Sequence, residues 1–202
     1  MKPFRINDLT HFKGVGNAVV SLSGEQVVYV VTEILEKENG YRSALWLKHG
    51  EEHRQLSNGQ TPTTRDQQPK WSPDGTHIAF LSNRSGSQQI WMMASQGGEA
   101  KKISDFSKGV QSFDWSHDGS TIFLSAKEET PEPKKPREGS GFTHVTRLHY
   151  KMNGVGYYDR YWSQLWSLEL NSGKMDRLTT GEFHCGEPTP SPDGKWLAFS
   201  SN

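Results

Sequence analysis

The chain is poor in the features that usually betray covalent or charge-driven function. Its 23 Lys and Arg are matched by 23 Asp and Glu, so the net charge is zero. Binding to nucleic acid or to an anionic membrane therefore has no basic excess to rest on. A single cysteine, Cys185, excludes an internal disulfide and a cysteine-rich zinc site, and fits a reducing compartment. No stretch approaches the roughly 18 apolar residues of a membrane span. The segment from Met1 to Leu9 lacks the apolar run of a signal peptide. A cytoplasmic chain without nucleic-acid or membrane partners is expected. Aliphatic residues are also scarce, with all hydrophobic types together at 32% and a mean hydropathy of −0.78.

Aromatic rings make up for that scarcity: 7 Trp, 6 Tyr and 9 Phe can fill a core. The 20 Gly and 10 Pro favour short strands joined by tight turns over long helices.

An internal repeat organises the chain. Val20-Ser-Leu-Ser-Gly24, Trp71-Ser-Pro-Asp-Gly75, Trp115-Ser-His-Asp-Gly119 and Pro190-Ser-Pro-Asp-Gly194 each precede a short run rich in apolar residues. The turn glycines lie 51, 44 and 75 residues apart, and a period of about 40–50 is that of a four-stranded propeller blade. Trp46, Trp91 and Trp166 recur after the turns, and the pairs Leu56-Ser57, Ile103-Ser104 and Leu178-Thr179 close the units. In Ser72-Pro-Asp-Gly75, proline presets the first corner, aspartate bonds nearby N–H groups, and glycine takes the left-handed position. The continuous apolar run Ile78-Ala-Phe-Leu81 predicts a strand buried on both faces.

The fold class expected is all-β: a partial β-propeller of about three and a half four-stranded antiparallel blades, an incomplete ring of about four to eight blades. The units span about 17–57, 67–104 and 111–179, with a partial unit at 187–202. A chain ending within a unit is expected to belong to a longer protein or to be completed by a partner. Its open strand edges, with Trp196-Leu-Ala-Phe199, are expected to favour self-association.

The long third spacing reflects an insertion at 127–161. Its first part, through Gly141, mixes charges with Pro131, Pro133 and Pro136 and reads as a solvated loop. Its second part alternates bulky and polar residues around Asn153-Gly154, which predicts a β-hairpin. Arg147, Lys151 and Arg160 fall beside Tyr150, Tyr157 and Tyr158. Cations interleaved with aromatic rings suit a peptide carboxylate or backbone, so Arg147, Arg160 and Tyr150 are the candidate substrate-binding residues.

Catalytic patterns are missing. No Gly-x-Ser-x-Gly elbow is present, and Ser140 stands in the proline-rich loop. His49 and His53 have a metal-like spacing but fall in an expected turn, so no metal or other cofactor is expected. His184 and Cys185 are adjacent in an extended segment and point to opposite faces. Asp74, Asp118 and Asp193 occupy one turn slot in three units, a geometric role. No Gly-x-Gly-x-x-Gly opens a helix.

The Trp-Ser-Pro-Asp-Gly repeats, Tyr41-Arg-Ser-Ala-Leu-Trp46, and Thr146 to Asp159 running on to Ser163-Gln-Leu-Trp166 resemble the amino-terminal propeller of acylaminoacyl-peptidase-like serine peptidases, of the prolyl oligopeptidase family. The resemblance implies an intact protein in which a seven-bladed propeller covers an α/β-hydrolase with a Ser-Asp-His triad and limits entry to short peptides. The hydrolase and the remaining blades would be this chain's partners. None of the triad residues has a counterpart here, and the chain alone is expected not to hydrolyse peptides. The alternative is a non-enzymatic TolB-like propeller serving as a binding or scaffold module. A propeller lyase acting on sugar acids ranks last, for want of a histidine ligand arrangement.

Overall fold

The computed structural model describes residues 5–58, 62–129, 151–152, 156–157 and 161–202. After a 3-10 turn at Ile6–His11, the chain folds as successive antiparallel sheets. The first holds β1 (Lys13–Val20), β2 (Gln26–Leu35), β3 (Gly40–His49) and β4 (Glu52–Gln55). The second holds β5 (Asp66–Trp71), β6 (His77–Ser85), β7 (Ser87–Ala94) and β8 (Lys101–Lys102). The third begins with β9 (Val110–Trp115) and β10 (Thr121–Glu129). A small hairpin of β11 (Lys151–Met152) and β12 (Gly156–Tyr157) intervenes before β13 (Tyr161–Glu169) and β14 (Met175–Arg177) complete that sheet. The fourth contains β15 (Cys185–Pro190) and β16 (Leu197–Ser201). Every four-stranded sheet is a meander whose strands pair in chain order. This is the partial β-propeller that the repeat predicts.

The first two strands of each sheet are joined by the recurring turn. In the second sheet Gly75 N–H donates to the Ser72 carbonyl at 2.9 Å, with Gly75 at φ +70°. Asp74 accepts from Ser72 Oγ at 2.5 Å and from Thr76 N–H at 3.0 Å. The bonds recur with Ser116, Asp118 and Ser120, and with Ser191, Asp193 and Lys195. In the first sheet Ser23 replaces the aspartate, and Gly24 N–H still closes onto the Ser21 carbonyl.

The closing Ser or Thr has a specific task. Ser57, Ser104 and Thr179 accept, through their hydroxyl oxygens, the N–H of Leu45, Ile90 and Leu165 at 2.8–2.9 Å. They thereby take over ladder bonding where the short outer strand has ended. In the second and third sheets the hydroxyl also donates to a buried amide, Gln89 or Gln164. Each amide in turn donates to carbonyls of the link leading to the next sheet.

Two cores lie between successive sheets. Ile78 and Phe80 join Val28, Val30, Leu45 and Leu47 between the first and second sheets. Ala79 and Leu81 join Phe113, Ile122 and Leu124 between the second and third. β6 is therefore buried on both faces, with all four residues from Ile78 to Leu81 at 0% exposure. Full burial of such aliphatic or aromatic side chains contributes about 1.5–3 kcal/mol each.

In the second and third sheets the tryptophan before the turn links to the preceding sheet. Trp71 Nε1 donates to the Val19 carbonyl of the first sheet at 3.1 Å, and Trp115 Nε1 reaches the Lys70 carbonyl of the second at 3.4 Å. The equivalent residue in the fourth sheet is Pro190, which has no side-chain donor. Trp71→Phe is expected to cost about 1–2 kcal/mol, since it forfeits a hydrogen bond and some ring area. Urea denaturation would read this as a lower midpoint at unchanged slope; an unaltered midpoint would mean that the link contributes nothing.

Candidate functional site

Strand direction sorts the connections onto two ends of the sheets. One end carries the Ser-x-Asp-Gly turns. The other carries the links between sheets, the loops between second and third strands, and the base of the insertion. At the base of the insertion, Lys127, Glu128 and Glu129 pair with Ser163, Trp162 and Tyr161. Further along, Lys151 pairs with Tyr157 and Met152 with Gly156, which is the hairpin expected around Asn153-Gly154. Arg147, Tyr150 and Arg160, and the proline-rich loop, lie outside the described residues.

Several polar groups are buried towards the insertion end. At the root of the insertion, Ser163 Oγ donates to Gln111 Oε1 on the innermost strand, and Ser163 N–H donates to His184 Nδ1 at 3.2 Å. The His184 ring lies tilted against Trp162, with centroids 4.8 Å apart. Cys185 is 1% exposed, and its carbonyl accepts from Ser125 Oγ at 2.6 Å. The imidazole is thus engaged by Ser163 and Trp162, while the thiol is sealed in the interior. A second group sits between the first and second sheets. Arg84 Nη2 donates to both oxygens of Asp66, at 2.8 and 2.7 Å, and Arg84 Nε donates to Ser82 Oγ. Both side chains are buried, and the guanidinium lies over Phe80 and Trp91 at 5.2 and 4.9 Å.

More exposed charges surround this end. Arg65 lies over the Tyr41 ring at 5.6 Å. Glu33 receives Lys13 and Arg42, each at 2.6 Å, and these bonds hold its carboxyl below the usual range. One capping device recurs here: Asn83 Oδ1 accepts from Arg65 N–H, and Asn202 Oδ1 accepts from His184 N–H at the same step of the repeat.

Three of the four innermost strands, β1, β5 and β15, share a conformational peculiarity. Asn17, Gln68 and Glu187 stand at φ +47°, +50° and +52°. Each interrupts the pairing of its strand with the next, as a β-bulge does. Each lies seven residues before its turn glycine. A non-glycine residue held there costs on the order of 1 kcal/mol, so the shape of these inner strands is kept at some expense.

At the turn end the aspartates are structural. Ser72 and Thr76 hold Asp74 at about 2, Ser116 and Ser120 hold Asp118 at about 2, and Ser191 with the Lys195 N–H lowers Asp193. These folded-state values lie below the ordinary carboxylate value. Their stabilisation is therefore complete above about pH 4 and is lost as pH falls towards 2. Asp118→Asn is expected to flatten the acid limb of a stability–pH profile between about pH 4 and 2. An unchanged limb would place the acid sensitivity elsewhere. His53, one of the two histidines with a metal-like spacing, engages the Tyr29 hydroxyl through Nδ1 at 2.9 Å.

The described residues thus offer hydrogen-bonding and cation–aromatic groups at one end, and the nucleophilic thiol is inaccessible. The repeat spacing could have exposed Gln89 and Gln164, each preceding the residue that bonds the closing hydroxyl. The Asp66–Arg84 pair breaks the repeat, its equivalents to Asp66 being Val15, Val110 and Cys185, and so carries no periodic signal.

Known proteins place this architecture. Over 97% of its length the chain is 32% identical to an uncharacterized peptidase, YuxL, of Bacillus subtilis, of which it covers 31%. Over 93% of its length it is 26% identical to dipeptidyl-peptidase 5 of Porphyromonas endodontalis, of which it covers 29%. The chain therefore spans about a third of the length of these curated relatives. In fold, it resembles the acylaminoacyl peptidase of Pyrococcus horikoshii, with a TM-score of 0.67 at 19% identity, covering 89% of this chain and 28% of that one. Residues 7–135 match the family model of the TolB beta propeller domain, PD40, and the chain belongs to that family.

Proposed function

We propose that this chain is the amino-terminal propeller portion of a cytoplasmic serine exopeptidase or oligopeptidase of the prolyl oligopeptidase family, restricting which peptides reach a hydrolase domain carried elsewhere in the full-length protein. The observation that carries this reading is the 32% identity to a peptidase along 97% of the chain. In this reading the insertion end faces the substrate. Arg147, Arg160 and Tyr150 contact a peptide carboxylate or backbone through charge-assisted hydrogen bonds. Arg65, over Tyr41, adds a cation at the same end.

The test uses the full-length protein. A fluorophosphonate probe is expected to label one serine, and short acylated or free peptides are expected to be turned over while long ones are not. Replacing 130–160 by two glycines is expected to lengthen the range of peptides accepted. The 202-residue chain alone is expected to show no turnover. Absence of both labelling and hydrolysis in the full-length protein would instead favour the non-enzymatic, TolB-like alternative.

A further inference from the structure

Two arginines rest on aromatic rings where the first and second sheets meet at the insertion end. Arg84 lies over Phe80 and Trp91, and its guanidinium donates to both oxygens of Asp66. Arg65 lies over Tyr41 at 5.6 Å. Among the described residues no carboxylate comes within ion-pair distance of it: Glu33 is taken by Lys13 and Arg42, and Asp66 by Arg84.

Arg65 is nonetheless held in place. Its backbone N–H donates to Asn83 Oδ1 at 2.7 Å, and Asn83 Nδ2 reaches the Thr63 carbonyl at 3.5 Å. From the first sheet, Ser43 N–H donates to the Thr64 carbonyl at 3.0 Å. The link that carries Arg65 is thus tied to both sheets. Arg65 is exposed, and Tyr41 and its cross-strand neighbour Ile34 are partly so. A guanidinium on a fixed backbone and against a ring has less freedom to lose when it meets a planar anion.

We propose that Arg65, seated on Tyr41, is a recognition site for a peptide carboxylate, held as Arg84 holds Asp66, by N–H donors to the carboxylate oxygens. The carboxylate chemistry comes from the geometry of this junction; that its bearer is a peptide rests on the peptidase reading above. Both a terminal α-carboxylate and an acidic side chain carry the group.

The probes are three tripeptides with a dansyl group on the amino end: Ala-Ala-Ala as the free acid, Ala-Ala-Ala amide, and Ala-Asp-Ala amide. Each is titrated with the full 202-residue chain at low salt and read by fluorescence anisotropy. The acid is expected to bind about threefold to tenfold more tightly than its amide, a preference that shrinks at high salt. Arg65→Gln should bring the acid-to-amide ratio to about one. Arg54→Gln, which removes an exposed cation on the outer strand β4, should leave the ratio as it was. The aspartyl amide identifies the source: acid-like affinity assigns the site to any carboxylate, and amide-like affinity assigns it to the peptide terminus. Equal affinities for acid and amide, no saturation by the acid up to about 10 mM, or the same loss from Arg54→Gln as from Arg65→Gln would overturn the proposal. Because binding and not turnover is read, a full-length protein that hydrolyses nothing would remove the peptidase reading alone, whereas equal affinities would remove the carboxylate site alone.

Discussion

Asp66→Asn is expected to destabilise the chain by about 3–5 kcal/mol, because it leaves the Arg84 guanidinium buried without its counter-ion. Asp66 is fully buried, and the exposure of the Arg84 side chain is only 7%, so water cannot take over the lost contact. The pair also sits in a shared structure: Ser43 of the first sheet donates to the Asp66 carbonyl at 2.9 Å. Disturbing Asp66 should therefore loosen the join between sheets one and two. The companion variant is the double replacement Asp66→Leu with Arg84→Met, which removes both charges. Its cost is expected to be well below that of Asp66→Asn, since apolar substitutes of similar volume often match a buried ion pair. Equilibrium urea unfolding of the three proteins decides the matter. If Asp66→Asn lowers stability by less than about 1 kcal/mol, the pair is effectively solvated and its role as an inter-sheet clamp is lost.

Phe80→Ala is expected to cost about 3–5 kcal/mol, the usual range for a fully buried aromatic ring. Phe80 has no exposure, packs with Val28, Leu45 and Met93, and supports the Arg84 guanidinium from below at 5.2 Å. The cavity would open at the junction of two sheets, each stiffened by its own ladder, so collapse around it should be limited. Because Phe80 and Arg84 touch, their effects are not expected to add. A double-mutant cycle with Arg84→Met should give a coupling of about 0.5–2 kcal/mol. A null coupling would show that the ring supports nothing beyond its own contacts.

Much of the fold was legible because the repeat states local geometry directly. Pro73, Asp74 and Gly75 specify a turn, and the turn fixes which residues of β5 and β6 face each other. The tryptophan spacing then locates the third strand. Asn153-Gly154 located even the small hairpin inside the insertion. The sequence was silent where a residue departs from its equivalents. Asp66 and Arg84 stand 18 positions apart, at the start of β5 and near the end of β6, and only the pairing of those two strands brings them together. The left-handed residues Asn17, Gln68 and Glu187 differ in type, so composition gave no hint of a shared conformation. Trp71 and Trp115 mark the turn in the sequence, but their acceptors lie on the neighbouring sheet and carry no local signal. The substrate-contact expectation for Arg147, Tyr150 and Arg160 falls outside the described residues, and the groups found at that end, Arg65 and His184 among them, come from links that the repeat treats as spacers.

The burial of β6 on both faces has a consequence for breathing motions. Each sheet touches only its neighbours, so opening can begin at either flank without disturbing the middle. Amide protons of Ile78–Leu81 can exchange with deuterium only when both flanking packings have let go, so their protection reports the largest opening free energy in the chain.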